Sequence, residues 1–215
     1  MAWPSHPFTF NVPYQDQPLR SPVIVARRTP EAIRATVVEL LRGFEDDEWI
    51  YWCIDDKYPI RLIEQPVAVL TGALLDGAFA EADGLLLCRC RKLLRHEHLL
   101  DDTIDGPAGI RLLRRRDYSQ IWIHQFLRTK VLRHLFSSFP EFIPNAKIMD
   151  GMKDRIALPA DHRLYVVESN LVVFGESTKD GRVTRNCARS FRELGMDLPA
   201  GFEPSNVEAI MGTVH

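Results

Sequence analysis

An apolar run rich in aromatic and β-branched residues, Trp49-Ile50-Tyr51-Trp52-Cys53-Ile54, stops abruptly at Asp55-Asp56-Lys57. Such a run reads as a buried strand. A strand that delivers an acidic pair at its carboxyl end is how open α/β sheets place ligand-binding groups. Neighbouring carboxylates repel unless something neutralises them. The pair therefore points to a metal ion, to a ribose or base donor, or to a local lysine or arginine. The last would make it an ordinary solvated turn.

The flanking residues predict the surrounding fold. Pro22-Val23-Ile24-Val25 reads as a short buried strand, and Arg27-Arg28 leave it. Thr29-Pro30-Glu31 supplies an N-cap, a proline at the first helical position and an early acid. Ile33, Val37, Leu40, Leu41 and Phe44 recur at helical spacing. Strand, helix and strand 49–54 together predict a β-α-β unit. Further on, 67–80 reads as a helix and 85–90 as a buried strand. Residues 101–109 read as a loop, and 117–136 as the longest helix. A hairpin is expected from 164–167 and 171–174, and a short helix from 184–194. The prolines at 4, 7, 13 and 18 predict an irregular arm over 1–20. The expected fold is a single α/β domain over 21–215: a Rossmann-like mixed sheet flanked by helices, with a C-terminal hairpin.

Length and composition fit that picture. The chain has 215 residues, 46% of them apolar, enough for one sizeable core. A formal charge of -2 argues against a polyanion binder, and no nucleic-acid partner is expected. The apolar runs are too short to cross a bilayer, and no signal-type segment opens the chain. Cys53, Cys88, Cys90 and Cys187 read as reduced, which suits the cytoplasm. Cys88 and Cys90 share one face of a strand, and with His96 and His98 they form a weak alternative metal cluster.

The order of strand, Arg27-Arg28-Thr29-Pro30-Glu31, helix and Asp55-Asp56 resembles the opening of nucleotide-sugar glycosyltransferases of the GT-A type. The resemblance covers the first half of the chain. It implies that Arg27, Arg28 and Asp55 line the nucleotide site, with Asp56 beside them. Gly175-Glu176, followed by Gly181, Thr184 and Asn186, is similar to a C-terminal strand-turn-helix of bacterial glycosyltransferase-like sequences. The family's Asp-x-Asp motif is missing. In its place stand Cys88-Arg89-Cys90-Arg91-Lys92. By resemblance, Arg89, Arg91 and Lys92 neutralise phosphate directly, or Asp55 and Asp56 themselves hold a divalent cation, Mn or Mg.

Glycosyl transfer needs charge stabilisation on the leaving diphosphate and a base for the acceptor hydroxyl. Glu176, His124 and Asp117 are the candidate bases. The implied partners are a nucleotide-sugar donor and a saccharide or other hydroxyl acceptor. Each candidate has a plainer reading: Asp55-Asp56-Lys57 as a self-neutralised turn, Glu176 as a surface strand end, His124 as a packed histidine. Two other functions fit the same residues. One is a non-catalytic α/β interaction module related to glycosyltransferases. The other is a metal-dependent phosphodiesterase built on Asp55, Asp56, Glu176 and Lys179.

Overall fold

The computed structural model describes residues 6–90, 95–198 and 200–212. Strand β1 (Phe10–Tyr14) pairs in parallel with β2 (Ile24–Arg28). The stretch expected to be an irregular arm therefore contributes a strand. Pro13 is tolerated there because a two-stranded pair leaves each strand one open edge. Helix α1 (Ile33–Leu40) begins after Ala32, later than the Thr29-Pro30 signal implies. Instead, the Thr36 hydroxyl donates to the Pro30 carbonyl at 2.5 Å and ties the entry loop to the first turn.

The chain continues through β3 (Trp49–Trp52), β4 (Lys57–Leu62), α2 (Glu64–Leu75), β5 (Gly84–Leu86), β6 (Leu99–Asp105) and β7 (Arg111–Arg115). Next come β8 (Gln125–Arg128), α3 (Thr129–Ser138), α4 (Ala146–Lys153), β9 (Leu164–Val167) and β10 (Val172–Glu176). The short hairpin of β11 (Thr178–Lys179) and β12 (Arg182–Val183) leads into α5 (Arg185–Glu193), and β13 (Ile210–Met211) follows. The hairpin turns at Asp180 and Gly181, with φ of 51° and 76°, the left-handed pair that its two-residue loop requires.

The main sheet has six strands in the order β3-β8-β5-β9-β7-β6. β5 and β9 are parallel, and the other pairs are antiparallel. A second sheet runs β13-β10-β4. One apolar cluster joins α2 and β10 to the main sheet through Val67, Leu70, Leu74, Phe126, Tyr165 and Phe174. The other joins α1, α3 and α4 to it through Val37, Leu127, Val131, Leu135, Phe136 and Met149. Helices and a small sheet thus cover a mixed central sheet, an α/β arrangement as expected. Among the described residues, no helix is long and apolar enough to cross a membrane.

Further expectations are corrected. The loop expected over 101–109 is largely strand β6, paired with β7. The β-α-β unit is split: β2 pairs with β1, while β3 belongs to the six-stranded sheet. The expected C-terminal hairpin does not form, because β9 joins the main sheet and β10 pairs with β4 and β13. The long helix from 117 is instead a buried crossing segment, then β8, then α3. Ile121, Ile123 and Leu127 alternate with Trp122, His124 and Phe126, and both sets are largely buried. A segment enclosed on both sides has no polar face, so its apolar pattern does not distinguish helix from strand.

Candidate functional site

Adjacent strand directions define the site. β3 and β5 are each antiparallel to β8, and β5 is parallel to β9. The carboxyl ends of β3, β5 and β9 therefore lie at one end of the sheet. Asp55 and Asp56 leave β3 at this end, in a turn closed by Lys57 N–H donating to the Ile54 carbonyl at 3.2 Å.

The two acids part company at the turn. Asp56 Oδ2 lies 2.5 Å from Lys57 Nζ, and the same ammonium lies 3.4 Å from Glu176 Oε1. Lys57 and Glu176 face each other across the β4–β10 ladder, where opposite charges stabilise the pairing. The Lys57 side chain is only 11% exposed. Asp56 Oδ1 is buried and has no hydrogen-bond partner. His124 closes the group: its Nε2 donates to the Ile54 carbonyl at 3.0 Å. Its ring packs on Tyr51 and Phe174, at centroid distances of 5.8 and 5.4 Å. Burial holds the imidazole below its ordinary pKa, against the hydrogen bond to Ile54 and the charge of Asp56. His124 is therefore neutral near pH 7, with its proton committed to a backbone carbonyl.

Glu176 is held by a clamp that the sequence spells out. Its carbonyl accepts from the Thr184 hydroxyl at 2.6 Å and from the Asn186 amide at 3.3 Å. Its N–H donates to the Ala209 carbonyl at 2.9 Å. Asn186 also donates to the Tyr58 hydroxyl at 2.8 Å and accepts from Ala209 N–H at 2.9 Å. Thr184, expected as the first helical residue, instead caps α5, accepting from Cys187 N–H at 3.3 Å. Gly175 is required by close approach, since a Cβ there would lie 2.7 Å from both Asn186 Nδ2 and Ile60 Cδ1. The Gly-Glu…Thr-x-Asn pattern is thus a device that fixes one glutamate on a strand end.

Asp55 instead lines a cleft of about 760 Å³ between the β1–α1 region and β3. Phe10, Val37, Phe44, Trp52 and Trp122 form much of its wall. Glu31 and Asp55 are its acids, and none of its described lining residues is Lys or Arg. The volume suits a small-molecule ligand.

The other candidates scatter. Arg27 lies at the cleft border, with its guanidinium 5.6 Å from the Phe44 ring centroid and Nη1 donating to the Arg42 carbonyl at 3.3 Å. Arg28 is exposed at the end of β2. Arg89 follows β5, its N–H donating to Asn170 Oδ1 at 2.5 Å and its Nη1 to the Glu168 carbonyl at 3.4 Å. β8 separates β5 from β3, so these two strands are about 10 Å apart. Lys92 and Arg91 lie outside the described residues. Asp117 does not join the group. It follows β7, which runs antiparallel to β9, so it leaves the sheet at the opposite end. There it binds His98 Nδ1 at 2.7 Å and accepts from Ser119 N–H at 2.7 Å. Ser119 Oγ contacts the same His98 nitrogen at 2.9 Å, so the ring cannot relay a proton between serine and acid.

Among the described residues, no group of three or more His, Cys, Asp or Glu is placed to hold a metal ion. Asp56 is already engaged with Lys57, which leaves Asp55 as the open carboxylate of the pair. The sequence names Lys57, Thr184 and Asn186 but not Tyr58 and Ala209, which complete the hold on Asn186 and Glu176. The spacing of Gly175, Glu176, Thr184 and Asn186 was the available signal. Comparison of the chain with protein-family models, with curated proteins and with solved structures gives no match.

Proposed function

We propose that the protein is a glycosyltransferase-like enzyme of nucleotide-sugar donors. One observation carries this reading: neighbouring acids at the end of β3 face two different environments. Asp55 lines an aromatic cleft, and Asp56 belongs to a charged group with Lys57, Glu176 and His124. The resemblance to GT-A enzymes in the first half of the chain points the same way.

In this reading the aromatic walls stack on the base and sugar faces of the donor. Asp55 and Glu31 accept hydrogen bonds from ribose or sugar hydroxyls. The diphosphate needs positive charge, and the described cleft lining has no basic residue of its own. Arg27 at the border and Lys57 beyond Asp55 are the nearest candidates, with a divalent cation on Asp55 as the other source. Glu176, held rigid by its clamp, takes the acceptor proton. His124 acts through packing.

Titration of UDP- and GDP-sugars, followed by quenching of Trp52 and Trp122 fluorescence with and without manganese, tests the proposal. Saturable binding that is lost in Asp55→Ala is expected. No binding of any nucleotide sugar at millimolar concentration would refute it. A second reading, a non-catalytic binding module, is favoured by the Lys57–Asp56 pairing. It predicts binding with neither transfer nor donor hydrolysis.

A further inference from the structure

We propose that Cys88 and Cys90 form an oxidisable dithiol that closes reversibly into an intrachain disulfide and loosens the seat of strand β13. The proposal is independent of what the cleft binds.

The geometry departs from that of a strand. Residues two apart on an extended chain are about 6.6 Å apart, near the upper limit for bridging two cysteines. Here the chain bends: Cys90 N–H donates to the Cys88 carbonyl at 3.1 Å, an i→i+2 turn that draws the two residues together. The sulfurs lie 3.3 Å apart, inside their van der Waals separation but not bonded. No comparable sulfur neighbour is recorded for the other two cysteines. The Cys53 thiol donates to the Tyr51 carbonyl at 3.6 Å, and Cys187 lies beside Tyr58.

The surroundings give the pair a consequence. Cys88 Sγ also donates to the Met211 carbonyl at 3.7 Å. Gly212, at φ 84°, sits so close to this sulfur that a side chain there would overlap it. Met211 pairs with Phe174, Ile210 pairs with Gly175, and Ala209 holds Glu176 N–H. The seat of the C-terminal segment and the backbone of Glu176 are thus linked to the protonation and bonding state of one thiol.

The chemistry balances with a hydroperoxide as oxidant. The contact with Cys90, then burial, push the Cys88 thiol up, so Cys88 keeps the proton that it donates to Met211, and the proposal gives Cys90 the attack. Cys90 thiolate displaces hydroxide from hydrogen peroxide, giving a sulfenic acid. Cys88 sulfur then attacks the Cys90 sulfur. The S–S bond forms, the S–O bond breaks, and water leaves with the Cys88 proton. The dithiol loses two electrons, and the peroxide is reduced to two waters. Contraction to a bonded S–S distance of about 2.05 Å moves Cys88 away from Met211 and removes its S–H donor. A small-molecule dithiol reverses the step by exchange.

The test uses the full chain, reduced and then exposed to hydrogen peroxide or diamide. Remaining thiols are alkylated and counted by intact mass and peptide mapping. The expected result is loss of two of the four thiols, a Cys88–Cys90 peptide lighter by two hydrogens, and full recovery with dithiothreitol. The Cys53→Ser/Cys187→Ser variant behaves in the same way, and Cys90→Ser forms no intrachain bridge. Phenylarsine oxide, which needs two adjacent thiols, protects the same pair from alkylation in unmodified protein. Hydrogen exchange at 210–212 quickens at least several-fold on oxidation. Four free thiols after treatment that fully oxidises glutathione, or a bridge involving Cys53 or Cys187, would overturn the dithiol. A Cys88–Cys90 bridge with unchanged exchange at 210–212 would overturn its link to β13.

Discussion

Asp55 and Asn186 mark two ways a residue can matter here, and substitution separates them. Asp55 is exposed and makes no hydrogen bond recorded in the structure, so Asp55→Asn should leave stability within about 0.5 kcal/mol. Asn186 is 4% exposed and serves Tyr58, Glu176 and Ala209 at once. Asn186→Ala strands those partners in a buried place and should cost about 1–3 kcal/mol. Urea denaturation measures both. Equal costs for the two variants would mean that the clamp on Glu176 contributes nothing to stability. This contrast also marks how far the sequence can be read at this scale. Gly175, Glu176, Thr184 and Asn186 stood out through the resemblance of their pattern to glycosyltransferase-like sequences. The different fates of Asp55 and Asp56 did not: Asp56 pairs with Lys57, while Asp55 lines the cleft. Which acid meets the lysine depends on the turn at Ile54 and on where β10 places Glu176. Neither is a local property of an Asp-Asp-Lys string.

Among the elements, β5 and β9, buried along their whole length, are legible as short apolar runs, whereas β6, whose Asp101, Asp102 and Asp105 read as a loop, is not. α5, expected over 184–194, runs from Arg185 to Glu193, with Thr184 as its cap and Gly195, at φ 67°, just past its end. The crossing segment before β8 shows the opposite case. Its apolar residues resembled a helix face, but Gln120 adopts φ 65° and the chain cannot continue helically through it. The backbone groups that a helix would have paired are met by Gln125. Its amide donates to the carbonyls of Gln120, Ile121 and Ile123, at 3.0, 3.2 and 3.0 Å. Its oxygen accepts from Arg115 Nη1 at 2.7 Å. Arg115 is wholly buried, and burial pushes its pKa down to about 10. Gln125→Leu keeps similar bulk but takes the side-chain donor from the Gln120 and Ile123 carbonyls and the acceptor from Arg115 Nη1; the Ile121 carbonyl keeps Trp52 Nε1, and Arg115 keeps the Ser119 carbonyl. A loss of at least about 3 kcal/mol is expected. Phe136→Ala, on the legible helix α3, should cost about 3–5 kcal/mol through its cavity. Circular dichroism melts of the two variants place them on one scale. A Gln125→Leu protein as stable as wild type would show that this network does not hold the crossing in place.

At the scale of the whole molecule, the buried titrating groups set the pH range over which the fold is most stable. His124 and His162 are both held below the ordinary 6.5, chiefly by burial. Below that value the unfolded chain takes up protons that the folded chain refuses. Stability is therefore complete above about pH 6.5 and falls as the pH drops toward the folded values. Asp117 adds a second acid step. Burial works to raise its carboxyl, but hydrogen bonds from His98 and Ser119 outweigh it and hold the group below 3.8. Its contribution is present above the unfolded value and disappears as the pH falls through the folded one. On the alkaline side, burial pushes Cys53 from 9.0 up to about 12, and it raises Tyr51 and Tyr118 above 10.0. The unfolded chain releases these protons first, so stability declines as the pH rises past about 9. The melting temperature should therefore be highest between about pH 7 and 9 and fall on both sides. His162→Gln, which removes one of the two histidines, should flatten the upper acid limb. Calorimetric scans from pH 4 to 11 test this, and a melting temperature still rising as the pH is lowered from 7 to 5 would contradict it. The acid limb reports on the packing around His124, and hence on the end of the sheet where Asp56, Lys57 and Glu176 meet.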